Sequence, residues 1–202
     1  MPWSSVLPPD RHTAVPPSFV SLRQDVVAWC AGRWWHWRAL VLAFLAWNGY
    51  RALQDPEYGG LFGGITFGVH EFGHLLFAPF GEFMTVAGGS LTQILVPLAA
   101  GALILRSGDY FGLVGAGAWL SSSLANLSVY IGDARALEMD LVSMGQDSVH
   151  DWNYLLGRLH MLAYDTRLDS TVHGLGTLLW LISLLFGGWI CLVMARQKSS
   201  PA

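Results

Sequence analysis

Charge is scarce in this chain. Its 202 residues hold only 11 Lys or Arg and 14 Asp or Glu, so 12% are charged, about half the roughly 25% usual for a soluble domain. The net charge is −3, which excludes the basic footprint of a nucleic-acid binder. Cysteine is nearly missing: Cys30 and Cys191 stand at opposite ends of the sequence, which argues against a disulfide framework or a cysteine metal site. No internal repeat is evident. Residues 1–18 are polar and Pro-rich and lack the apolar core of a signal peptide. They read as an extended tail.

What the chain has instead is apolar length. Hydrophobic residues make up 53%, Trp alone contributes ten, and runs of membrane length recur. The pattern predicts an all-α integral membrane protein with about five transmembrane helices in a single membrane domain, residues 38–196, followed by a tail, 197–202. Residues 19–37 mix Val20, Leu22 and Val26 with Arg23 and Arg33, as an amphipathic helix lying in the interface does. Trp34, Trp35 and Trp37 mark the headgroup level. The five spans fall at about 38–53, 61–80, 91–105, 110–131 and 172–195, with a mobile or strand-like connector at 82–90. Residues 132–170 hold half of the acids and read as helical pieces outside the hydrocarbon. Gly60, Gly64 and Gly68 form one small-residue seam and Gly117, Ser121 and Ala125 another, both suited to close helix packing. Counting spans puts residues 132–170, the end of the second span and the N-terminus on one side. That side carries Arg11, Arg23, Arg33, Arg38, Arg135, Arg158 and Arg167, against Arg51, Arg106, Arg196 and Lys198 on the other. The excess predicts a cytoplasmic N-terminus, in a bacterial inner (cell) membrane.

The chemistry is concentrated in His70-Glu71-Phe72-Gly73-His74. On a helix, residues four apart share a face, so two imidazoles can bind one Zn²⁺ at about 2.0–2.1 Å each. Glu71 stands where a carboxylate can take a proton from metal-activated water. With seven His and four Glu in the chain, random placement produces this pattern in roughly one such chain in two hundred. Three ionisable groups in an apolar helix are costly and need an internal partner, which a metal supplies. The bland alternative is a buried His pair satisfied by hydrogen bonds.

Zinc needs a third protein ligand. Glu82 is one candidate. The richer one is His150-Asp151-Trp152-Asn153, in which Asp151 can be the ligand and Asn153 a donor to a developing oxyanion. His150 can be the ligand instead, with Asp151 orienting it, and Asp151 can equally be a helix cap.

His70-Glu71-Phe72-Gly73-His74-Leu75 in an apolar helix resembles the site-2 protease family of membrane zinc metallopeptidases. The resemblance implies zinc bound by His70 and His74, Glu71 as general base, and a later Asp as third ligand. In that family the Asp lies in an Asn-Pro-Asp-Gly or Leu-Asp-Gly context. Here no Asp is followed by Gly, so Asp151 stands in a different setting, and no PDZ-like insertion is present.

Three functions follow as expectations. The first is a membrane-embedded zinc metallopeptidase acting on membrane or membrane-proximal peptides. The second is a non-catalytic accessory subunit of a larger membrane protein complex that keeps the motif as a metal site or relic. The third, least suited to two His on one helix, is haem or pigment ligation by His70, His74, His160 or His173.

Overall fold

The structure, a computed structural model, describes residues 19–55, 58–139 and 150–198. The polar tail 1–18, with Arg11, lies outside the described residues, as do residues 199–202 of the C-terminal tail. The described residues form seven α-helices and no strand: α1 Phe19–Cys30, α2 His36–Gln54, α3 Gly63–Phe77, α4 Glu82–Ser107, α5 Gly112–Gly132, α6 Asp151–Arg158 and α7 Asp165–Lys198. Short 3₁₀ turns at Ala78–Phe80 and Leu162–Tyr164 join α3 to α4 and precede α7. The 82–90 segment is therefore helical, not a strand-like connector. It forms the first turns of α4, which starts after Gly81 at φ +92°. Packing against α3 overrides the strand preference of Thr85 and Val86 there.

Close approaches fix the directions of the helices. Gly73 of α3 meets Gly88 of α4, each too near the other's backbone to admit a Cβ. Gln93 of α4 bonds Ser123 of α5, while a Cβ on Gly101 would lie 3.6 Å from Ala116. Ser121 of α5 donates to Gly176 O of α7 at 2.8 Å, and Gly117 faces Ser183. Each of these pairs is antiparallel, so α3 and α5 run one way and α4 and α7 the other. α2 packs against α5 and α7, with Leu42 at Gly187 and Gly49 at Trp180. It too is antiparallel to α7.

So α2 and α3 run in the same direction, which overturns the expectation of successive antiparallel spans. The chain leaves α2, folds back beside Asn48, which bonds Tyr58 Oη at 3.0 Å and Leu61 N at 3.4 Å, and starts α3 level with the middle of α5. There Trp119 Nε1 donates to Thr66 at 3.0 Å. α3 has only 15 residues, about 22 Å at 1.5 Å per residue, and covers only the far half of α4.

The position of α1 follows. It packs on α7, Gln197 near the end of α7 donates to Val27 O at 3.1 Å, and Trp29 meets Tyr110 at the start of α5. Both described ends of the chain thus lie at one end of the bundle, together with the α4–α5 turn. The described residues of the 132–170 segment, 132–139 and 150–170, share the opposite end with the C-terminal end of α3; residues 140–149 lie outside the described residues. Those two do lie together, as the span count requires, but the N-terminal helix is not with them. Five alternating spans would separate the chain ends, and the contact between α1 and α7 excludes that arrangement.

Two seams fare differently. Gly117, Ser121 and Ala125 face α7, where Gly176 approaches Ser121 O at 3.2 Å from its Cβ position. Gly60, in the turn before α3, lies against Tyr58 and Asn48, whereas Gly64 and Gly68 have open space beside them among the described residues, so the first seam does not form one packing surface there.

The apolar core of Val26, Cys30, Leu45, Phe111, Val114, Ile190, Cys191 and Met194 gathers at the α1 end. The sequence extremes that separate Cys30 from Cys191 are thereby brought into one cluster. Polar burial is concentrated further along, at Thr66, His70, Ser90, Thr92, Gln93, Ser121, Ser123 and Ser128. Outside, the bundle exposes large apolar side chains on α2, α3, α4 and α7, among them Phe44, Phe67, Phe72, Leu75, Leu98 and Leu185, whereas α5 exposes none. Two helices, α4 and α7, are long and apolar enough to cross a membrane.

Candidate metal centre

His70 and His74 lie one turn apart on the face of α3 that meets α4. Their rings are 4.8 Å apart between centroids. Ligand atoms of His70, Glu71 and His74 all lie within 4.8 Å of one another and could hold a metal ion. α6 brings a further group. Asp151, its first residue, places Oδ2 3.0 Å from His70 Nε2 and 3.4 Å from His74 Nε2, across 81 and 77 positions of sequence. It is only 7% exposed.

What holds Asp151 there is a second polar knot. His150 is the N-cap of α6, accepting from Asn153 N through Nδ1 at 3.2 Å. Its Nε2 bonds Asp133 Oδ2 at 3.2 Å. Asp133 also accepts from Glu138 N and Met139 N, so the carboxylate closes the turn after α5 and anchors α6 at once. Tyr130 Oη accepts from Asp151 N at 3.0 Å, and its ring lies 4.4 Å from that of His150. His150 is therefore turned to Asp133 and not to the α3 histidines. The capping role expected of Asp151 belongs to His150.

Asn153 is not at the site. Its side-chain amide donates to Ala134 O at 2.8 Å, behind α6 and away from the histidines. Glu82 adjoins Tyr154, whose hydroxyl its charge pushes to a higher pKa alongside the larger effect of desolvation. His160 is exposed, in a left-handed backbone conformation at φ +56°, and His173 contacts Ser128 at 3.5 Å. Neither adjoins the α3 pair, which removes the multi-histidine pigment arrangement.

The ring protons can be assigned from their partners. His74 Nδ1 is 2.9 Å from Thr85 O, a backbone carbonyl that can only accept, so Nδ1 carries the hydrogen. His70 Nδ1 is 2.9 Å from Gln93 Oε1. The Gln93 amide cannot be flipped, because its Nε2 lies 2.9 Å from Ser123 O, another pure acceptor, and 3.0 Å from Asn126 Oδ1. His70 Nδ1 therefore also carries its hydrogen. In the neutral rings both Nε2 atoms present lone pairs, and both aim at a carboxylate oxygen.

Three electron-pair donors converging in a buried space need a cation between them, either protons on the rings or a metal. The geometry fits a metal. Four tetrahedral ligands at about 2.05 Å stand about 3.3 Å apart, against the observed 3.0 and 3.4 Å. Gly89 leaves the space open: a Cβ there would lie 2.6 Å from His70 Nε2 and 2.7 Å from His74 Nε2. Burial pushes the Asp151 carboxyl up, and positive charge at the two Nε2 atoms, whether ring protons or a metal ion, pulls it down.

Sequence reasoning missed Gln93, Tyr130 and Asp133. Only Gln93 carried a signal, as an uncharged polar residue inside an apolar span. Comparison of the chain with family models, with curated proteins and with solved structures finds no match.

Proposed function

We propose that this chain is a membrane-embedded zinc metallopeptidase of the site-2 protease kind, cleaving membrane or membrane-proximal peptides. The observation that carries the reading is the convergence of His70 Nε2, His74 Nε2 and Asp151 Oδ2, with both Nδ1 hydrogens assigned elsewhere. His70, His74 and Asp151 hold Zn²⁺, which supplies Lewis acidity when bound. Glu71 is left as the base. Its carboxylate takes a proton from the attacking water and returns it to the leaving amine. Asp151 is the third ligand rather than Glu71 because it reaches both rings from another helix and is held by the Tyr130 and His150–Asp133 contacts. Gly89 and Gly88 let α4 press against the motif helix and shape the floor of the site.

The bundle lies in a lipid bilayer that covers its exposed apolar side chains. The 21 residues of α5 extend about 31 Å, the thickness of a hydrocarbon core. The chain crosses four times: α2 and α3 in relay, then α4, α5 and α7. An even number of crossings agrees with α1 and the end of α7 lying together. That end carries Arg23, Arg33, Arg38, Arg106 and Arg196, five against Arg135, Arg158 and Arg167 at the other. By the positive-inside rule the chain ends are cytoplasmic and the metal centre opens toward the opposite face.

Elemental analysis of purified protein tests the metal, with near-stoichiometric zinc expected in wild type and none in His74→Ala. Cleavage of membrane peptides lost in Glu71→Gln, with zinc retained, tests the chemistry. Wild-type protein that binds zinc but cleaves no peptide would turn the reading to an accessory subunit with a structural metal.

A further inference from the structure

Gln93 ties the motif helix to the rest of the bundle. It sits on α4 between α3 and α5, is 2% exposed, and uses both ends of its amide. Oε1 meets His70 Nδ1 at 2.9 Å, while Nε2 meets Ser123 O at 2.9 Å and Asn126 Oδ1 at 3.0 Å. α3 and α5 meet directly at Thr66 and Trp119, and the Tyr130 ring stands 6.1 Å from that of His70. The hydrogen-bonded link from α5 to His70 Nδ1 runs through Gln93.

We infer that Gln93 is the positioning residue of the metal centre: clamped by Ser123 and Asn126 of α5, its amide holds the His70 ring in the Nδ1–H form and aims Nε2 at the metal. The inference rests on the metal reading above and adds to it a residue outside the H-E-x-x-H motif. The physical reason is the fixed direction of the amide. A side chain free to rotate could offer His70 either its oxygen or its nitrogen, and the ring could then take either tautomer. Ser123 O, which can only accept, excludes the flipped amide. Gln also suits the place better than a carboxylate, the more familiar partner of a ligating His. The site already holds Asp151 and Glu71, and a third carboxylate among buried groups would raise the desolvation cost. Partners of this type typically change metal affinity 10–100-fold when lost.

The test uses full-length protein in detergent. Gln93→Met keeps the length of the side chain but removes the acceptor. Zinc affinity, read by competition with a chelator, is expected to fall 10–100-fold, and the Co²⁺ absorption spectrum is expected to change with the ligand geometry. Should Gln93→Met fail to fold, Asn126→Leu takes its place. Asn126 is exposed, so its loss removes one of the two anchors without disturbing the core. Weaker zinc binding is expected there, with recovery in Asn126→Asp, which keeps the accepting oxygen. Wild-type affinity and an unchanged Co²⁺ spectrum in folded Gln93→Met, or in Asn126→Leu where that variant stands in, would overturn the inference. If wild type binds no zinc, the metal reading fails by itself. The ¹⁵N shifts of the His70 ring then decide the positioning: Nδ1–H in wild type and a tautomer mixture in the variant support it, whereas Nε2–H in wild type overturns it.

Discussion

Gly89→Ala puts the metal centre to its sharpest test. The substitution adds one methyl group inside α4, where Ala normally stabilises a helix by about 1 kcal/mol relative to Gly. Here that methyl would stand 2.6 Å from His70 Nε2 and 2.7 Å from His74 Nε2. Non-bonded carbon needs roughly 3.5 Å from a heavy atom, so each ring must retreat by about 0.8–0.9 Å. A ligating nitrogen tolerates only about 0.2 Å around its bond length. Neither ring can move freely, since Thr85 O and Gln93 Oε1 hold their far nitrogens at 2.9 Å. The expected outcome is a folded helical protein that has lost zinc, from about one ion per chain to about a tenth of that or less. Circular dichroism checks the fold and elemental analysis the metal. Full zinc content and wild-type affinity in Gly89→Ala would refute the placement of the ion between these nitrogens. Loss of zinc together with loss of helix would point to packing instead, and Gly88→Ala provides the comparison. It meets Gly73 O and Phe77 and should cost about 1–3 kcal/mol by overpacking without entering the metal space.

Asp151→Ala should weaken zinc binding at least as much as loss of the Gln93 contact, because it removes a ligand rather than a ligand's partner; unchanged affinity in a chelator competition would assign the third position to Glu71. Asp133→Asn should loosen α6, since its carboxylate faces His150 Nε2 and two backbone N–H groups. A fall in stability of about 1–3 kcal/mol with a parallel loss of zinc is expected in thermal unfolding, and metal binding that survives intact would separate α6 from the site. Single cysteines in a background lacking Cys30 and Cys191 test the orientation. A membrane-impermeant thiol reagent added outside intact cells should label a cysteine at Arg135 and not one at Ser107, and the opposite pattern would reverse the assignment of the two faces.

The sequence alone determined the helical class, the apolar length and the chemical core of the site. His70 and His74 are four apart on a helix, and helix periodicity places them on one face whatever surrounds them. The 3.6-residue repeat likewise brings Gly117, Ser121 and Ala125 to one side of α5, where α7 does pack. Periodicity says nothing about where a helix sits relative to its neighbours. Gly64 and Gly68 have the same spacing as a packing seam, yet no helix among the described residues lies against them. The parity of the fold was equally hidden. Residues 38–53 and 61–80 have the composition of two spans, but the return past Asn48 makes α2 and α3 run in one direction. The third member of the site was a matter of tertiary contact. Asp151 comes within 3.4 Å of both rings because Asp133, His150 and Tyr130 draw α6 onto the end of the bundle. Nothing local to Asp151 distinguishes it from Asn153, two residues on, which faces Ala134. Contacts between groups 17 to 81 positions apart made that choice, and only the folded chain brings those groups within reach of each other.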